Sequence, residues 1–441
     1  MKVCIVGAGD AGAIAATQIS RLDESAEVRL FSKRQELGCP PCAMHLVLSG
    51  VLASWDELVH GIRTKSFYEK RNVEVHLDTE VTDILRQEKC VIAGDERHSY
   101  DKMILALGAT PFIPPFPGID GKNEFVLGTD MADGMSLDQA ISKHAEAAII
   151  GGGYIGLEIA EALKLRGYNK IYVLVRRDIL RDQLDKEMAK TVKGELRAGG
   201  VELILPATLE SIGSKGQRKC LVLADREIEV DFVLFATGSA PNIELAQNAG
   251  LQIGETGGIA VNQYLQTSDP DIYAAGDCME NWDIMVNSKR QQKLATNAIR
   301  TGYIAGRNVV LANCIAYQGT AMPFVAKVFG LQIGSVGFTE TEAKEKGFDT
   351  ASVKVETPWL SQRYNGSPAH FKLIGDRNTK TLLGAQIISK ETVAGVIDKL
   401  AVALAVGMPL IRLLQIDSCY SPLVQEDLTA VPLQRLIDEL G

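Results

Sequence analysis

The sequence predicts an α/β protein with two βαβ units and a separate C-terminal α+β domain. Two observations support this. An apolar strand, a glycine-rich turn, a helical pattern and a second strand occur twice, with the turns beginning at Gly7 and Gly151. After about residue 318 the pattern changes to alternating stretches over 324–329 and 382–388 and a helical stretch over 394–406.

Composition limits the classes of protein that the chain can belong to. Its 441 residues are 46% hydrophobic, which suits about three domains of roughly 150 residues each. The net charge of −9 disfavours nucleic acid or an anionic membrane as a partner. No apolar run approaches the roughly 18 residues of a membrane span. Eight scattered cysteines do not form a disulfide scaffold, so we expect a reducing compartment, the cytoplasm.

Each βαβ unit has the residues that a bound dinucleotide requires. The first unit is read as a strand over 2–6, a turn over 7–12, a helix over 13–22 and a strand over 28–31. The second is read as a strand over 147–150, a turn over 151–156, a helix over 157–166 and a strand over 171–175. Glycines permit the tight turn and the close approach of a pyrophosphate, which the helix N-terminus then faces. Two copies predict two dinucleotide sites.

Three further segments extend these units. Apolar strands end in similar sequences at 106–111 and 236–241, and both are predicted to close the backbone over a bound dinucleotide. A third strand ends in Gly276-Asp277. Its carboxylate can accept a hydrogen bond from a ribityl hydroxyl, or it can act as a helix N-cap.

Together these motifs resemble the FAD-dependent pyridine nucleotide–disulfide oxidoreductases over essentially the whole chain. Residues 31–52 most resemble the branch of coenzyme A-disulfide reductases, NADH oxidases and persulfide reductases. The resemblance implies two Rossmann-like dinucleotide-binding domains, one for FAD and one for NAD(P), and a C-terminal α+β dimerisation domain. The implied boundaries are 1–112 and 241–317 for the two parts of the FAD domain, 113–240 for the NAD(P) domain and 318–441 for the dimerisation domain.

The motifs and the resemblance also assign the cofactor contacts. Those to FAD are Gly7, Gly9, Asp10, Ala11, Gly12, Ser32, Lys33, Val81, Gly108, Asp277 and Ala295. Those to NAD(P) are Gly151, Gly153, Tyr154, Ile155, Gly156, Glu158, Arg176, Arg177 and Gly238.

The chain departs from the family pattern at three places. Ser32 stands where relatives carry an acidic residue for the adenosine ribose, which weakens that contact. Asp10 replaces the histidine of the peroxidase members and disfavours a peroxidase. No histidine follows His370, so the His–Glu pair of glutathione reductase is missing.

Arg176 and Arg177 occupy the place, about 20 residues beyond the second turn, where a ribose-binding carboxylate is expected. Two guanidinium groups suit a 2′-phosphate, so the sequence favours NADPH over NADH. The alternative is a pair of solvated arginines at a strand end. By resemblance, Tyr154 gates the flavin and Glu158 faces the nicotinamide.

The segment from Cys39 to Cys42 has the most reactive chemistry. The prolines between the two cysteines suit the first turn of a helix predicted over 42–51, where a thiolate at the N-terminus is stabilised. Position and resemblance make Cys42 the redox residue. Cys39 either resolves an intermediate on Cys42 or is a bystander. His45 either supports the thiolate or is structural. A single CxxC lacks the second ligand pair of a zinc site, so no metal is predicted.

The resemblance places Tyr364 and Tyr420 where relatives of this branch have tyrosines that reach the partner subunit's cysteine. Such a phenol can donate a proton to a leaving thiolate, although both can also be ordinary interface residues. Arg21, Phe67 and Arg71 fall near the family's coenzyme A phosphate groove. Cys419 is a weaker candidate for a second relay thiol.

The function expected from these assignments is that of a homodimeric FAD enzyme with shared active sites. It takes hydride from NAD(P)H and reduces a disulfide, persulfide or polysulfide, coenzyme A-disulfide among them, at Cys42. The first alternative is an NAD(P)H oxidase that reduces oxygen through a Cys42 sulfenic acid. The second is an electron-transfer or sensor protein that acts on a protein partner.

Overall fold

The computed structural model describes residues 1–38, 40–59, 64–286, 288–358, 367–421 and 427–441. Cys39 and Tyr364, both predicted site residues, lie outside the described residues. None of the helices in the described ranges has the length and apolar character needed to cross a membrane.

The first segment forms strands and helices as follows. The strands are β1 Lys2–Val6, β2 Glu27–Phe31, β3 Val73–His76, β4 Val81–Leu85, β5 Cys90–Ala93, β6 Glu96–Ser99, β7 Lys102–Leu105 and β8 Ala109–Pro111. The helices are α1 Asp10–Leu22, α2 Met44–Leu48 and α3 Lys65–Glu69. β4, β5 and β6 form a small antiparallel sheet of their own.

The next segment contains a second parallel sheet. Its strands are β9 Glu124–Val126, β10 Glu146–Ile150, β11 Lys170–Leu174, β12 Val201–Ile204, β13 Leu209–Lys215, β14 Arg218–Leu223, β15 Glu227–Val230, β16 Phe232–Phe235 and β17 Ser239–Pro241. Its helices are α4 Met131–Ile141, α5 Tyr154–Leu165 and α6 Lys186–Ala198. The sheet order is β12-β11-β10-β16-β9, and every neighbouring pair is parallel.

The chain then returns to the first sheet. The elements are α7 Glu244–Asn248, β18 Ile272–Ala274, β19 Asn281–Trp282, β20 Lys289–Arg290 and α8 Ala295–Val310. β18 completes a parallel sheet in the order β18-β7-β1-β2-β3. α8 lies directly on α1, since a Cβ on Gly302 would come within 2.2 Å of the Ala11 carbonyl oxygen. Residues far apart in the chain therefore build one nucleotide-binding unit.

The C-terminal part is an antiparallel sheet covered by helices. Its elements are β21 Phe324–Val328, β22 Leu331–Gly337, α9 Glu340–Glu345, β23 Thr350–Pro358, β24 Pro368–Asp376, β25 Leu382–Ser389, α10 Ala394–Ala405, α11 Leu410–Leu414 and α12 Ala430–Leu440. The sheet order is β21-β22-β25-β24-β23. Apolar residues of β24 and β25 pack with those of α10 and α12 in one core, which includes Phe371, Ile387, Leu400 and Leu436.

The α/β fold class is confirmed, but several predicted element limits shift. α1 and α5 begin three residues before the predicted starts, because the last residues of each glycine turn already form the first helical turn. The predicted helix over 42–51 is wrong. Pro41–Ala43 forms a 3₁₀ turn, and α2 spans only Met44–Leu48. Gly50, with φ +79°, follows in a conformation that does not continue a helix.

A buried ionic cluster joins the second unit to the C-terminal sheet. The Lys372 ammonium on β24 lies 3.0 Å from the Asp185 carboxylate and 2.8 Å from that of Glu340, and it also bonds Glu187. Lys372 is only 2% exposed. Its three carboxylate partners are grouped closely enough to hold a metal ion, and the Lys372 ammonium already contacts all three of them. The cluster therefore fixes α6 against the C-terminal sheet.

We expect Lys372→Met to lower the free energy of unfolding by about 3–5 kcal/mol, because it leaves buried carboxylates without their cation. Urea-induced unfolding monitored by circular dichroism measures the loss. Lys344→Met is the matched control, since Lys344 bonds the same Glu340 at 2.5 Å but its side chain is 59% exposed. The control should cost less than about 1 kcal/mol. Equal losses in the two variants would contradict the assignment.

Candidate active site

The first glycine turn is closed by contacts between backbone atoms. Gly7 has φ +107°, and a Cβ there would lie 2.1 Å from the Ala106 carbonyl oxygen. A Cβ on Gly12 would lie 1.9 Å from the Gly7 oxygen. Gly9 has no such neighbour, because a Cβ there would point into open space. The turn is therefore fixed on one side by β7 and leaves its backbone open to a ligand at Gly9.

The other predicted FAD contacts follow the carboxyl ends of the same parallel strands, the edge at which such sheets bind ligands. Ser32 follows β2 and is buried, and its hydroxyl oxygen accepts the Arg34 N–H at 3.1 Å. Lys33 is exposed, 3.8 Å from Glu80. Gly108 follows β7 with φ +69° and open space at its Cβ position. Two more predicted contacts lie at element starts: buried Val81 in β4 and half-buried Ala295 in α8.

Asp277, which follows β18, provides the strongest test of the fit to FAD. Its Oδ1 is buried and receives no hydrogen bond from the described residues. Burial raises the pKa of Asp277 to about 6, with Lys293 opposing the shift and Asp10 adding to it. A buried acceptor without a donor is rare in folded proteins and calls for a ligand hydroxyl. The ribityl chain of FAD supplies such hydroxyls, so the residues present fit this cofactor.

Two polar residues that were not predicted from the sequence stand out in the structure. Lys293, two residues before α8, donates a hydrogen bond from its ammonium group to the Ser239 carbonyl of β17. Burial lowers the pKa of Lys293, and the nearby Asp277 opposes that shift. Glu36 has a buried Oε1 that receives no hydrogen bond from the described part of the chain. Neither residue belongs to a glycine motif or a periodic pattern, so only burial in the folded chain reveals them.

The second glycine turn repeats the geometry of the first. Gly151 has φ +124°, and a Cβ there would lie 2.1 Å from the Ala236 carbonyl oxygen. A Cβ on Gly156 would meet the Gly151 oxygen at 2.6 Å. Gly153 and Gly238 face open space. This turn therefore also presents open backbone beside the N-terminus of a long helix, with Ile155 in the first helical turn.

Arg176 and Arg177 follow β11 at the edge of this turn, and both are exposed. The next residue, Asp178, is engaged within the protein. Its carboxylate lies 2.7 Å from the Lys193 ammonium and accepts the Ile179 N–H at 2.7 Å. The two guanidinium groups are thus presented to solvent, while the carboxylate of the adjacent Asp178 is held by Lys193.

Cys42 lies where the two nucleotide-binding units meet. Its side chain is exposed on the 3₁₀ turn that leads into α2, and α2 packs against α5. Leu48 of α2 belongs to the same apolar core as Leu157 and Leu163 of α5. The turn that carries the thiol therefore leads into a helix that packs on the helix of the second glycine turn.

The Tyr154 phenol interacts electrostatically with three of the predicted site residues. Burial raises the pKa of its phenol to about 12, and the charges of Glu158, Asp277 and Cys42 add to the shift. Its ring lies 5.4 Å from that of Phe324 on β21, between centroids. Tyr154 is thus covered by the C-terminal sheet and lies within electrostatic reach of both the Asp277 carboxylate and the Cys42 thiol.

Of the residues predicted for the C-terminal domain, Tyr420 and Cys419 belong to the described part of the chain, and both lie on the surface. Tyr420 is 64% exposed, and Cys419 beside it is also exposed. Large apolar side chains are exposed on the same domain at Val402, Val406, Ile411 and Ile416. These residues are available to a second subunit.

Of the three residues matched to a coenzyme A groove, Arg71 and Phe67 contact each other. Arg71 lies over the ring of Phe67, with its guanidinium carbon 3.6 Å from the ring centroid. Its guanidinium also donates to the Phe67 carbonyl. Arg21 is exposed in the last turn of α1.

Comparison with known proteins agrees with this geometry. The family model for pyridine nucleotide-disulphide oxidoreductases matches residues 1–302, and the model for the dimerisation domain of the same proteins matches 324–432. An NADH oxidase of Methanocaldococcus jannaschii is 33% identical over 431 residues, 96% of this chain and 95% of its own. An NAD(P)H coenzyme A polysulfide/persulfide reductase of Pyrococcus horikoshii is 30% identical over 430 residues, 96% and 94% of the two chains.

A solved structure is also similar over the whole chain. It is an engineered NADPH oxidase derived from the water-forming NADH oxidase of Lactobacillus brevis, bound to NADPH. The TM-score is 0.94 at 26% identity, and the match covers 100% of this chain and 99% of that one.

The chain belongs to the pyridine nucleotide-disulphide oxidoreductase family. It is a flavoprotein that uses NAD(P)H, as the resemblance in sequence implied. The relatives in the branch expected from residues 31–52 include both an oxidase and a persulfide reductase.

We expect Asp277→Ala to weaken FAD binding about 10- to 150-fold, since a hydrogen bond to a charged group contributes roughly 1.5–3 kcal/mol. Fluorescence titration of the apoprotein with FAD measures the affinity. Asp271→Asn is the matched control, because Asp271 lies at the other end of β18 and bonds Lys89 and Lys102. Should both variants bind FAD with the same affinity, Asp277 would not hold the cofactor.

Proposed function

We propose that the protein is an NAD(P)H-dependent reductase of a disulfide, persulfide or polysulfide, with Cys42 as its redox residue. The observation that carries the proposal is the exposed Cys42 thiol within electrostatic reach of Tyr154, at the junction of two open glycine turns. The Pyrococcus horikoshii relative, which bears the name of a coenzyme A polysulfide/persulfide reductase, supports this substrate class.

In this proposal each residue has a limited task. Bound FAD supplies the two-electron chemistry that links a nicotinamide hydride to a sulfur atom. The two glycine turns bind the pyrophosphates, and Asp277 holds the ribityl chain. Tyr154, backed by Phe324, covers the space between the turns and excludes water. The Cys42 thiolate attacks the substrate S–S bond, so that a mixed disulfide forms and one substrate sulfur leaves as a thiolate.

The leaving thiolate needs a proton, and the proposal assigns its delivery to the partner subunit's Tyr420, assisted by the partner subunit's Tyr364. The dimerisation-domain match to residues 324–432 and the exposed position of Tyr420 support a homodimer with shared active sites. Cys39 is kept as a second candidate thiol that expels the substrate from Cys42. A cytoplasmic location stays a prediction.

A second candidate function is an NAD(P)H oxidase that reduces oxygen through a sulfenic acid on Cys42. The 33% identity to the Methanocaldococcus jannaschii NADH oxidase favours it. In that cycle two electrons from NAD(P)H reduce oxygen to peroxide, which oxidises the Cys42 thiolate to a sulfenic acid and releases one water. Two further electrons from NAD(P)H reduce the sulfenic acid to the thiolate and release the second water. Turnover with oxygen alone, compared with turnover with polysulfide, coenzyme A-disulfide and other disulfides, separates the two functions.

We expect Cys42→Ser to keep FAD but to abolish disulfide reduction, because an alcohol cannot form the mixed disulfide. Steady-state NAD(P)H oxidation with each disulfide measures the loss, and anaerobic bleaching of the flavin by NAD(P)H shows that the nucleotide site is intact. Retention of disulfide turnover would remove Cys42 from the mechanism.

Cys39→Ser is the companion variant for that measurement. If one cysteine suffices, this variant keeps most of its rate. If Cys39 resolves the mixed disulfide, the variant stalls, and intact mass spectrometry detects the trapped adduct. We expect the one-cysteine result, since the resemblance includes Cys42 and does not include Cys39.

We propose NADPH as the preferred nucleotide. The exposed Arg176 and Arg177 support this, and the engineered NADPH oxidase offers a chemical parallel. Its substitutions remove an aspartate and introduce two arginines.

Arg176→Glu should therefore lower the ratio of kcat/KM for NADPH to that for NADH by at least about 10-fold, the loss of one charge-assisted hydrogen bond. Arg226→Glu, on the hairpin between β14 and β15, makes the same charge change at an exposed site of the same unit and should leave the ratio unchanged. A ratio of one in the unmodified enzyme would contradict the proposal.

Tyr420→Phe should lower disulfide turnover by about 100-fold, since it removes a general acid. It should leave the rate of flavin reduction by NAD(P)H unchanged. Tyr303→Phe, on α8 and 40% exposed, is the matched control for loss of a surface phenol. Sedimentation at assay concentration reports the subunit state, and a fully active monomer would rule out shared sites.

A further inference from the structure

The loop that follows β11 packs directly on the second glycine turn. A Cβ on Gly152 would come within 2.8 Å of a Val175 methyl group and 3.0 Å of an Ile179 methyl group. The Leu180 N–H donates to the Gly152 carbonyl oxygen at 2.8 Å. Ile179 and Leu180 are both buried. Residues 176–178, which lie between these anchors, are therefore held beside the turn that is assigned to NAD(P).

This loop carries a carboxylate as well as two arginines. Asp178 lies about 20 residues beyond Gly156, the spacing at which dinucleotide-binding folds place an acidic residue for the ribose 2′-hydroxyl. A free carboxylate at such a place favours NADH and repels the 2′-phosphate of NADPH. A residue that would oppose Arg176 and Arg177 is thus present in the same loop.

The Asp178 carboxylate is not free, because Lys193 of α6 binds both of its oxygens. The ammonium lies 2.7 Å from Oδ1 and 2.9 Å from Oδ2. Oδ1 also accepts the Ile179 N–H at 2.7 Å. Only 15% of the Asp178 side chain and 16% of the Lys193 side chain are exposed, so solvent ions screen the pair weakly. The negative charge of Asp178 is therefore balanced within the protein.

The other charged groups near this pair do not replace Lys193. Arg181 and Asp182, the next charged residues along the chain, pair with each other at 3.4 Å and are exposed. Lys190, one turn before Lys193 on α6, is also exposed. Within the described part of the chain, no other basic side chain forms an ion pair with the Asp178 carboxylate.

We propose that Lys193 determines the nucleotide specificity of the second dinucleotide site, because it holds the Asp178 carboxylate and balances its charge. With Lys193 in place, the loop offers two guanidinium groups to a 2′-phosphate and no unbalanced anion. Without it, Asp178 would repel the 2′-phosphate and would be free to accept a hydrogen bond from the ribose hydroxyl of NADH. Lys193 acts through Asp178 and is therefore a positioning residue. The proposal rests on the proposed preference for NADPH, which it traces to a residue of a different helix.

A double substitution separates this role from a structural one. Lys193→Met leaves the Asp178 charge unbalanced, so the affinity for NADP⁺ relative to NAD⁺ should fall about 5- to 20-fold. Lys193→Met combined with Asp178→Asn removes the anion as well and should restore the relative affinity to within about 2-fold of the unmodified protein. A merely structural lysine would weaken the binding of both nucleotides alike.

The test is isothermal titration calorimetry of the oxidised, FAD-loaded protein with NADP⁺ and with NAD⁺. Neither oxidised nucleotide can reduce the flavin, so the affinities are measured without turnover. Lys190→Met is the matched control, since it removes the same charge from the solvent-exposed side of α6 and should leave the relative affinity unchanged. Lys193→Gln serves if Lys193→Met does not fold, and it should change the relative affinity in the same direction.

An unchanged relative affinity in the Lys193 variants would overturn the proposal, as would a failure of Asp178→Asn to restore it. The unmodified protein tests the preference for NADPH separately. Equal affinity for the two nucleotides there would contradict that preference, whereas a shift towards NAD⁺ in Lys193→Met would still support the control exerted by Lys193.

Discussion

The two nucleotide-binding units depend on one backbone contact that occurs in both. Gly7 lies against the Ala106 carbonyl, and Gly151 lies against the Ala236 carbonyl, in each case with room for a hydrogen atom but not for a Cβ. This contact brings the end of the first strand, the start of the following helix and the end of a neighbouring strand within reach of one ligand. The ligand contacts expected from Asp277, Gly108 and the neighbouring strand ends depend on this close approach of the glycine to the strand.

The site between the units is polar and incompletely satisfied by the protein itself. Asp277 buries a carboxylate oxygen that no described residue bonds, and Glu158 is largely buried with a raised pKa. Such groups cost stability in a folded chain, so they are retained where a ligand or a reaction uses them. The Lys372 cluster shows the contrast. There the buried Asp185 carboxylate has the Lys372 ammonium as its partner, and the contact joins two parts of the protein.

The chemistry of Cys42 depends on its position at the contact between the two nucleotide-binding units. The thiol belongs to the first segment, the residues that surround it belong to the second, and Phe324 of the C-terminal sheet supports Tyr154. A short helix after the cysteine gives the sulfur less stabilisation than the long helices give the pyrophosphates.

The sequence by itself determined the two glycine turns, the strand before Asp277, the class of cofactor and the candidate Cys42, because each is encoded in a few consecutive residues. It also predicted the α+β character of the C-terminal part from its alternating pattern. Tertiary structure alone decided the brevity of α2, the meeting of His45 with Glu158, the bond from Lys293 to Ser239 and the burial of Lys372. These features join residues that are distant in the chain, and their contacts arise from the packing of whole elements, which no local pattern records.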